Sequence, residues 1–301
     1  MANQEWWQKY QGLILSAGIF YESENWMPIT QKSDRAYGDL VTYRFHVSEP
    51  KALVFIFHGS FSAASYHTYL ASRLYQDGFA VFAIDQLGHG KSSGPRGLIL
   101  DLEATYTSHI EYIEKVRALY PENPPIFLAG ESLGGTIALS IALKIPNLIK
   151  GLILYAPGIS NGPKLSSCNI KIMRFLTWCK PSITIPKMSS DLFSRNPAHG
   201  SWWDDNPDCY SGAIEMRSIL TMVDALNKLS RQLYGLTTPF IYFQGGKDQS
   251  CDPGHARDFV SSCAVENKEF VFYEEMYHAI GNEPEFPEIV DKTLRWMNDR
   301  I

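Results

Sequence analysis

The chain has 301 residues, which at roughly 150 per domain allows two domains or one large α/β core. A formal net charge of −5 argues against electrostatic capture of nucleic acid or of an anionic membrane surface as the main activity. With 45% hydrophobic and 20% charged residues, the composition excludes a disordered or low-complexity chain.

The N-terminal stretch carries Glu5 and Lys9 before the short apolar run Leu13, Ile14, Leu15, without the basic start and long apolar core of an export signal. Neither an Asn-x-Ser/Thr sequon nor an apolar run of about 18 residues follows, so a cytoplasmic location is expected. Five cysteines, Cys168, Cys179, Cys209, Cys251 and Cys263, form no Cys-x-x-Cys pair and fit neither a disulfide framework nor a zinc site.

Short apolar runs then recur along the chain at 52–57 (ALVFIF), 80–84 (AVFAI), 126–129 (IFLA), 151–156 (GLILYA), 240–243 (FIYF) and 270–273 (FVFY). Each reads as a strand buried on both faces. Helical periodicity at 66–76, 102–120, 132–144, 253–262 and 287–298 fills the intervals. The alternation predicts an α/β fold with a mostly parallel central sheet flanked by helices.

About 80 residues separate the strand ending at Ala156 from the one starting near Phe240, several times what one crossover helix needs. The excess reads as a helical cap, dividing the chain into core (1–157), cap (158–237) and core again (238–301). The cap opens with Gly158, Asn161, Gly162 and Pro163 and continues with an apolar patch, Ile170, Ile172, Met173, Phe175, Leu176 and Trp178. That patch either packs a small core of the insert's own or presents a lid surface. A long helix-like stretch over 211–233 closes the insert.

Chemistry concentrates at Gly130-Glu131-Ser132-Leu133-Gly134, which follows a strand and opens a helix of small and aliphatic residues. In that context the string is a nucleophile elbow: the flanking glycines let strand turn into helix abruptly and leave the Ser132 hydroxyl projecting. Serine needs a base, and His278, shortly after the run at 270–273, stands where a strand end would deliver one. His46, His67, His109, His199 and His255 have no comparable position, and His58 reads as structural. Asp248, in Gln244-Gly245-Gly246-Lys247-Asp248, is the candidate acid, with Asp252 and Asp85 as competitors. The oxyanion requires two main-chain N–H donors, for which Leu133 and Ser60, in Phe57-His58-Gly59-Ser60, are placed.

Gly88-His89-Gly90-Lys91-Ser92 ends like a phosphate loop, but Asp85 stands where that motif needs its first glycine. No His-Glu-x-x-His or clustered Cys/His set is present, so no cofactor and no metal is implied.

Taken together, Phe57-His58-Gly59, residues 85–92 (DQLGHGKS), 130–135 (GESLGG), Asp248 and Tyr277-His278 resemble the monoacylglycerol lipase family of α/β-hydrolases, from about Leu40 onward. The resemblance implies hydrolysis of a lipid ester by Ser132, Asp248 and His278, with Ser60 and Leu133 as the oxyanion hole. It further implies substrate contacts by Phe61, Glu131 and Trp203, and thiols near the pocket at Cys209 and Cys251. Glu131 replaces the histidine usual in animal members and is similar to the plant lysophospholipase and caffeoyl shikimate esterase branch. Phe61, Ser62, Ala63 and Ala64 depart from the family's residues after His-Gly, and Trp203 stands where a cap tyrosine is common.

The expected partner is a small-molecule lipid ester, most specifically a monoacylglycerol, with peripheral membrane contact through apolar cap residues rather than basic ones. Burying eight methylenes of an acyl chain is worth about 6 kcal/mol, which suits a lid rich in Phe, Trp, Ile and Leu. A lysophospholipase or other carboxylesterase is the alternative. A noncatalytic α/β-hydrolase-like subunit would lack a triad member, and an aminopeptidase would want an acidic cap cluster for the free amine; neither feature stands out in the sequence.

Overall fold

The computed structural model describes residues 22–26, 38–160, 166–186 and 189–301. The stretch at Leu13 to Leu15, and Asn161, Gly162 and Pro163 of the insert, lie outside the described residues.

In chain order the elements are β1 (Glu22–Trp26), β2 (Leu40–Phe45), β3 (Leu53–Phe57), α1 (Thr68–Gln76), β4 (Ala80–Ile84), α2 (Leu102–Arg117), β5 (Ile126–Glu131), α3 (Leu133–Lys144) and β6 (Ile149–Tyr155). The segment between β6 and β9 follows, with α4 (Ser167–Cys179), β7 (Thr184–Ile185), α5 (His199–Asp205), β8 (Ile214–Glu215) and α6 (Met216–Gln232). Then come β9 (Phe240–Gly245), α7 (Pro253–Ser262), β10 (Lys268–Tyr273) and α8 (Phe286–Asn298). The main sheet has the order β1-β2-β4-β3-β5-β6-β9-β10. Pairing is antiparallel from β1 to β4 and parallel from there to β10, so the fold is α/β as the alternation predicts.

Successive residues of the central strands feed two separate cores. Leu53, Phe55 and Phe57 of β3 pack beneath α2 and α3, whereas Val54 and Ile56 face α1 and α8. Burial on both faces explains why these runs are apolar throughout rather than alternating.

Three expectations need correction. The run at 270–273 lies in β10, which pairs with β9 alone at the sheet edge; its residues are half-buried rather than buried on both faces. The helix placed over 211–233 starts at Met216, because Ile214 and Glu215 instead pair with β7. Of the 66–76 helix, the first residues form a 3₁₀ turn (Ala64–His67). The strands β1 and β2 have no counterpart in the sequence reading.

The chain moves from β3 outward to β4 and then returns to place β5 on the other side of β3. Such a reversal leaves a crevice at the carboxyl ends of the two neighbouring strands, where α/β sheets bind ligands. Both the loop after β3 and the turn after β5 open into it. Among the described residues no helix is long and apolar enough to cross a membrane.

Candidate active site

Ser132 sits between β5 and α3 with φ 54° and ψ −119°, a left-handed conformation that costs an L-residue on the order of 1–3 kcal/mol. The surroundings hold it there. Its N–H donates to the Tyr155 carbonyl (3.0 Å), and its own carbonyl accepts from Gly158 (2.9 Å) and Thr136 (3.2 Å). The glycines on either side are required by contact: a Cβ on Gly134 would lie 1.9 Å from the Phe57 carbonyl oxygen, and one on Gly130 2.2 Å from that of Gly134. Close backbone approach of the elbow to β3 is thus what aims the Ser132 side chain into the crevice.

From the other end of the chain, His278 arrives on the loop after β10 and Asp248 on the loop after β9. His278 Nδ1 donates to Asp248 Oδ2 at 2.8 Å, which leaves Nε2 free of that contact. Asp248 is held by four donors: the Ser250 (2.7 Å) and Cys251 (2.9 Å) N–H groups on Oδ1, and Gln244 Nε2 (3.1 Å) and His278 on Oδ2. Burial works against the imidazolium, but the charge and hydrogen bond of Asp248, joined by Glu131, outweigh it and raise the His278 pKa above its ordinary 6.5. Asp252, the nearby competitor, instead caps α7 through the N–H groups of Gly254 and His255.

Asp85 has a different task. It accepts from the Tyr43 hydroxyl (2.8 Å) and the N–H groups of Ala64 (2.7 Å) and Lys91 (2.8 Å), so the Gly-Lys-Ser string is a turn folded around a buried carboxylate. His58 holds the loop after β3. Its Nε2 accepts from the Gln86 N–H (2.9 Å), leaving Nδ1 to donate to the Gly59 carbonyl (2.8 Å), and burial lowers its pKa to about 3, so it stays neutral. That carbonyl also takes the Ser62 N–H (3.4 Å), tightening the turn that contains Ser60 and Phe61, the latter at φ 65°. A Cβ on Gly59 would lie 3.3 Å from Ser132 Cβ, which places this turn directly over the elbow. Leu133 is the first residue of α3, and an N–H at that position has no acceptor within its own helix.

These groups meet at one cavity of about 260 Å³, lined by Ser60, Phe61, Glu131, Ser132, Trp203 and His278 among others. Asp248 and Leu133 support it from behind. Sequence reasoning missed much of the wall: Tyr66, Phe193, His199, Tyr210, Ile219 and Met222 also line it. His199 was set aside, yet it is buried, and its Nδ1 accepts from Asn282 Nδ2 (2.7 Å), which also donates to the Tyr66 hydroxyl (2.8 Å). Ile219 and Met222, three apart on α6, carried a readable helical signal.

Asp248, Cys251 and His278 offer ligand atoms within 4.8 Å of one another. Both Asp248 oxygens are already engaged by hydrogen bonds. Burial and the Asp248 charge push the Cys251 thiol well above its ordinary pKa, against a hydrogen bond with Ser132, and burial raises Cys209 to about 12. Neither thiol carries thiolate character near neutral pH, the condition for ready oxidation.

Comparison with known proteins shows the family. The family model described as serine aminopeptidase, S33 matches residues 48–285. A monoglyceride lipase from Rattus norvegicus is 30% identical over 258 residues, 84% of either chain. A caffeoylshikimate esterase from Arabidopsis thaliana is 27% identical over 266 residues, 84% of this chain and 79% of the relative. The crystal structure of a monoacylglycerol lipase from Paleococcus ferrophilus superposes with a TM-score of 0.76 at 24% identity, covering 86% of this chain and 99% of that one, and shares the fold.

Proposed function

Since the chain belongs to the serine aminopeptidase, S33 family and is a carboxylic ester hydrolase, we propose that it cleaves monoacylglycerol to a free fatty acid and glycerol through an acyl-enzyme on Ser132. The observation that carries this reading is the His278–Asp248 hydrogen bond of 2.8 Å, placed at the same cavity as a serine held in a left-handed elbow.

In the first step Ser132 Oγ attacks the ester carbonyl carbon and gives its proton to His278 Nε2, while Asp248 keeps the imidazole in the Nδ1–H form. The carbonyl oxygen, now anionic, is held by the N–H groups of Leu133 and Ser60. Collapse expels the glycerol oxygen, which takes the proton back from His278. Water then gives a proton to His278 and its oxygen to the acyl carbon, and the fatty acid leaves as Ser132 recovers its proton. The predominantly apolar wall formed by Phe61, Phe193, Ile214, Ile219, Met222 and Trp203 suits an acyl chain.

A second reading, a phenolic or other carboxylic ester, draws on the rings of Phe61, Tyr66, Phe193, Trp203 and Tyr210 around the same cavity, on which an aryl group would stack. The segment 158–237 acts as a cap on the core, and its helix α4 presents Ile172, Phe175 and Trp178 at 52, 62 and 79% exposure, an apolar face for peripheral contact with a lipid surface.

The test is a fluorophosphonate probe with a substrate panel of monoacylglycerols, lysophospholipids, feruloyl and short aryl esters, and an aminoacyl arylamide, run on intact protein and Ser132→Ala. Labelling at Ser132, lost in the variant, with monoacylglycerol turned over at the highest kcat/KM is the expected result. Labelling that survives Ser132→Ala overturns the mechanism, and preference for another member of the panel overturns the substrate.

A further inference from the structure

Glu131, the acidic residue that directly precedes Ser132 in the cavity wall, is left without a task by the mechanism above. It ends β5, is 5% exposed, and its Oε1 accepts the main-chain N–H of Gly281 at 3.4 Å. Gly281 lies in the 3₁₀ turn (Ile280–Asn282) that begins two positions after His278 and whose Ile280 N–H donates to the His278 carbonyl (2.9 Å). The nucleophile's neighbour therefore reaches across the crevice and ties down the base's own loop. On its other side, Oε2 stands 3.9 Å from His67 Nε2, a buried nitrogen with no hydrogen-bond partner among the described residues.

From this geometry we propose that Glu131 is a positioning residue: it fastens the His278 loop to the Ser132 elbow, and its negative charge supports His278 when the imidazole takes up the serine proton. The inference rests on the proposed roles of Ser132 and His278.

The electrostatic part follows from what surrounds the carboxylate. The titratable groups facing it are His67 from the turn before α1, Tyr155 from the end of β6, Asp248 and Cys251 from the loop after β9, and His278. Burial lowers His67 to about 4 and raises both Tyr155 and Cys251, so these three are neutral near pH 7. Asp248 repels the carboxylate and His278 attracts it. Among the described residues, the neighbour whose charged form gains from an ionised Glu131 near pH 7 is thus His278. Burial raises the Glu131 carboxyl to about 7, against the pull of His278 and of the Gly281 and Ile280 N–H groups. A carboxylic acid so placed changes charge in the pH range where a serine hydrolase works, and as it ionises it makes His278 a stronger base. A buried carboxylate without a formal counter-ion is costly, and an apolar residue of similar size would fill the space at lower cost. The return is in the transition state, where His278 is an imidazolium.

Two variants separate charge from reach, assayed by the pH dependence of kcat/KM with KM and kcat resolved at each pH. Glu131→Gln keeps an acceptor for the loop and removes the charge. We expect its acid limb to move to lower pH by about half a unit or more, with kcat down about tenfold and KM within about twofold, the split that marks an interaction made in the transition state. Glu131→Asp keeps the charge and shortens the arm; its limb stays at the wild-type position while kcat falls. A Gln variant with an unmoved limb, or an Asp variant whose limb shifts as far as that of Gln, overturns the proposal. Wild-type protein that turns over no ester and takes no fluorophosphonate label overturns the proposed function and this inference with it; an active wild type with unmoved variants overturns this inference alone.

Discussion

The sheet end that carries Ser132, Asp248 and His278 and the segment between β6 and β9 are built on opposite principles. At the sheet end the groups around Asp248 and Ser132 are fixed from several directions: four donors converge on Asp248, and both His58 nitrogens and the Ser132 carbonyl are engaged by named partners. The intervening segment is tied to the core at the cavity rim, where the Ala279 N–H donates to Phe193 (2.7 Å), Arg195 pairs with Glu283 and Glu285, and the Tyr210 N–H donates to Phe61 (2.8 Å), and again through α6, whose Ser218 hydroxyl accepts the Ile99 N–H (3.0 Å) and whose Lys228 pairs with Glu103. Its outer helix α4 leaves large apolar side chains in solvent. The contrast teaches where tolerance lies. In the proposed mechanism the geometry at the sheet end is shared by every step, so a change there should abolish rate, whereas a change on the outer helix should alter which esters reach the cavity.

The sharpest way to break that comparison is Asp248→Asn. An amide in that place favours the wrong imidazole tautomer and removes the charge that supports the imidazolium; a loss of about a thousand- to ten-thousand-fold in kcat is expected. Stopped-flow measurement with an activated aryl ester checks it, and a loss below tenfold would show that the hydrogen bond to Asp248 is not what organises His278. Next in size is Gly134→Ala. Its methyl would press on the Phe57 carbonyl at 1.9 Å, backbone against backbone with β3 already in register, so a destabilisation of about 3 kcal/mol or more is expected in thermal or urea unfolding. A variant that unfolds with the wild type would mean that the elbow can retreat from β3.

Acid sensitivity sharpens the comparison from another side. As the proposed base, His278 must be neutral to accept the Ser132 proton, and its pKa is raised, so kcat/KM should climb with pH through a midpoint above about 6.5 and fall away below it. A profile flat from pH 5 to 9 with chemistry limiting would remove His278 from the role of base.

How much of this was legible in the sequence follows the same divide. Strands β3, β4, β5, β6 and β9 were readable because burial on both faces makes the run apolar whatever its period. β2 escaped because Thr42 and Arg44 interrupt it, although Thr42 is buried and Tyr43 beside it anchors Asp85. Ser132, Asp248 and His278 could be singled out since each follows a strand end, where local sequence carries the turn. The cavity wall could not be singled out that way: Tyr66, His199 and Met222 come from three distant elements and converge only through tertiary packing. For His199 no local cue exists, as its partner Asn282 is 83 residues away.

Helix α4 shows why the sequence left two readings of its apolar patch open. Ile170, Met173 and Leu176 form one stripe at a spacing of three, and Ile172, Phe175 and Trp178 form another. Either could face inward. The structure half-buries the first stripe, with α4 packed against α6, and leaves the second exposed, so the insert's own core uses only half of the patch. The smallest effect expected here tests what the other half is for. Both Phe175 and Trp178 are more than half exposed, so Phe175→Ser with Trp178→Ser should leave folding and the hydrolysis of a water-soluble short aryl ester within about twofold of wild type. A large aromatic side chain offers about 150–250 Å² for burial; half of that for two rings, at about 25 cal/mol per Å², is worth roughly 5 kcal/mol at a lipid surface before the entropy of docking is subtracted. Turnover of monoacylglycerol presented in phosphatidylcholine vesicles should therefore fall by about tenfold. Because the chain carries a net charge of −5, binding to those vesicles should change little between about 50 and 500 mM salt, since apolar contact is not screened. Equal losses on the vesicle and the soluble substrate, or vesicle binding abolished by salt, would refute α4 as the contact surface.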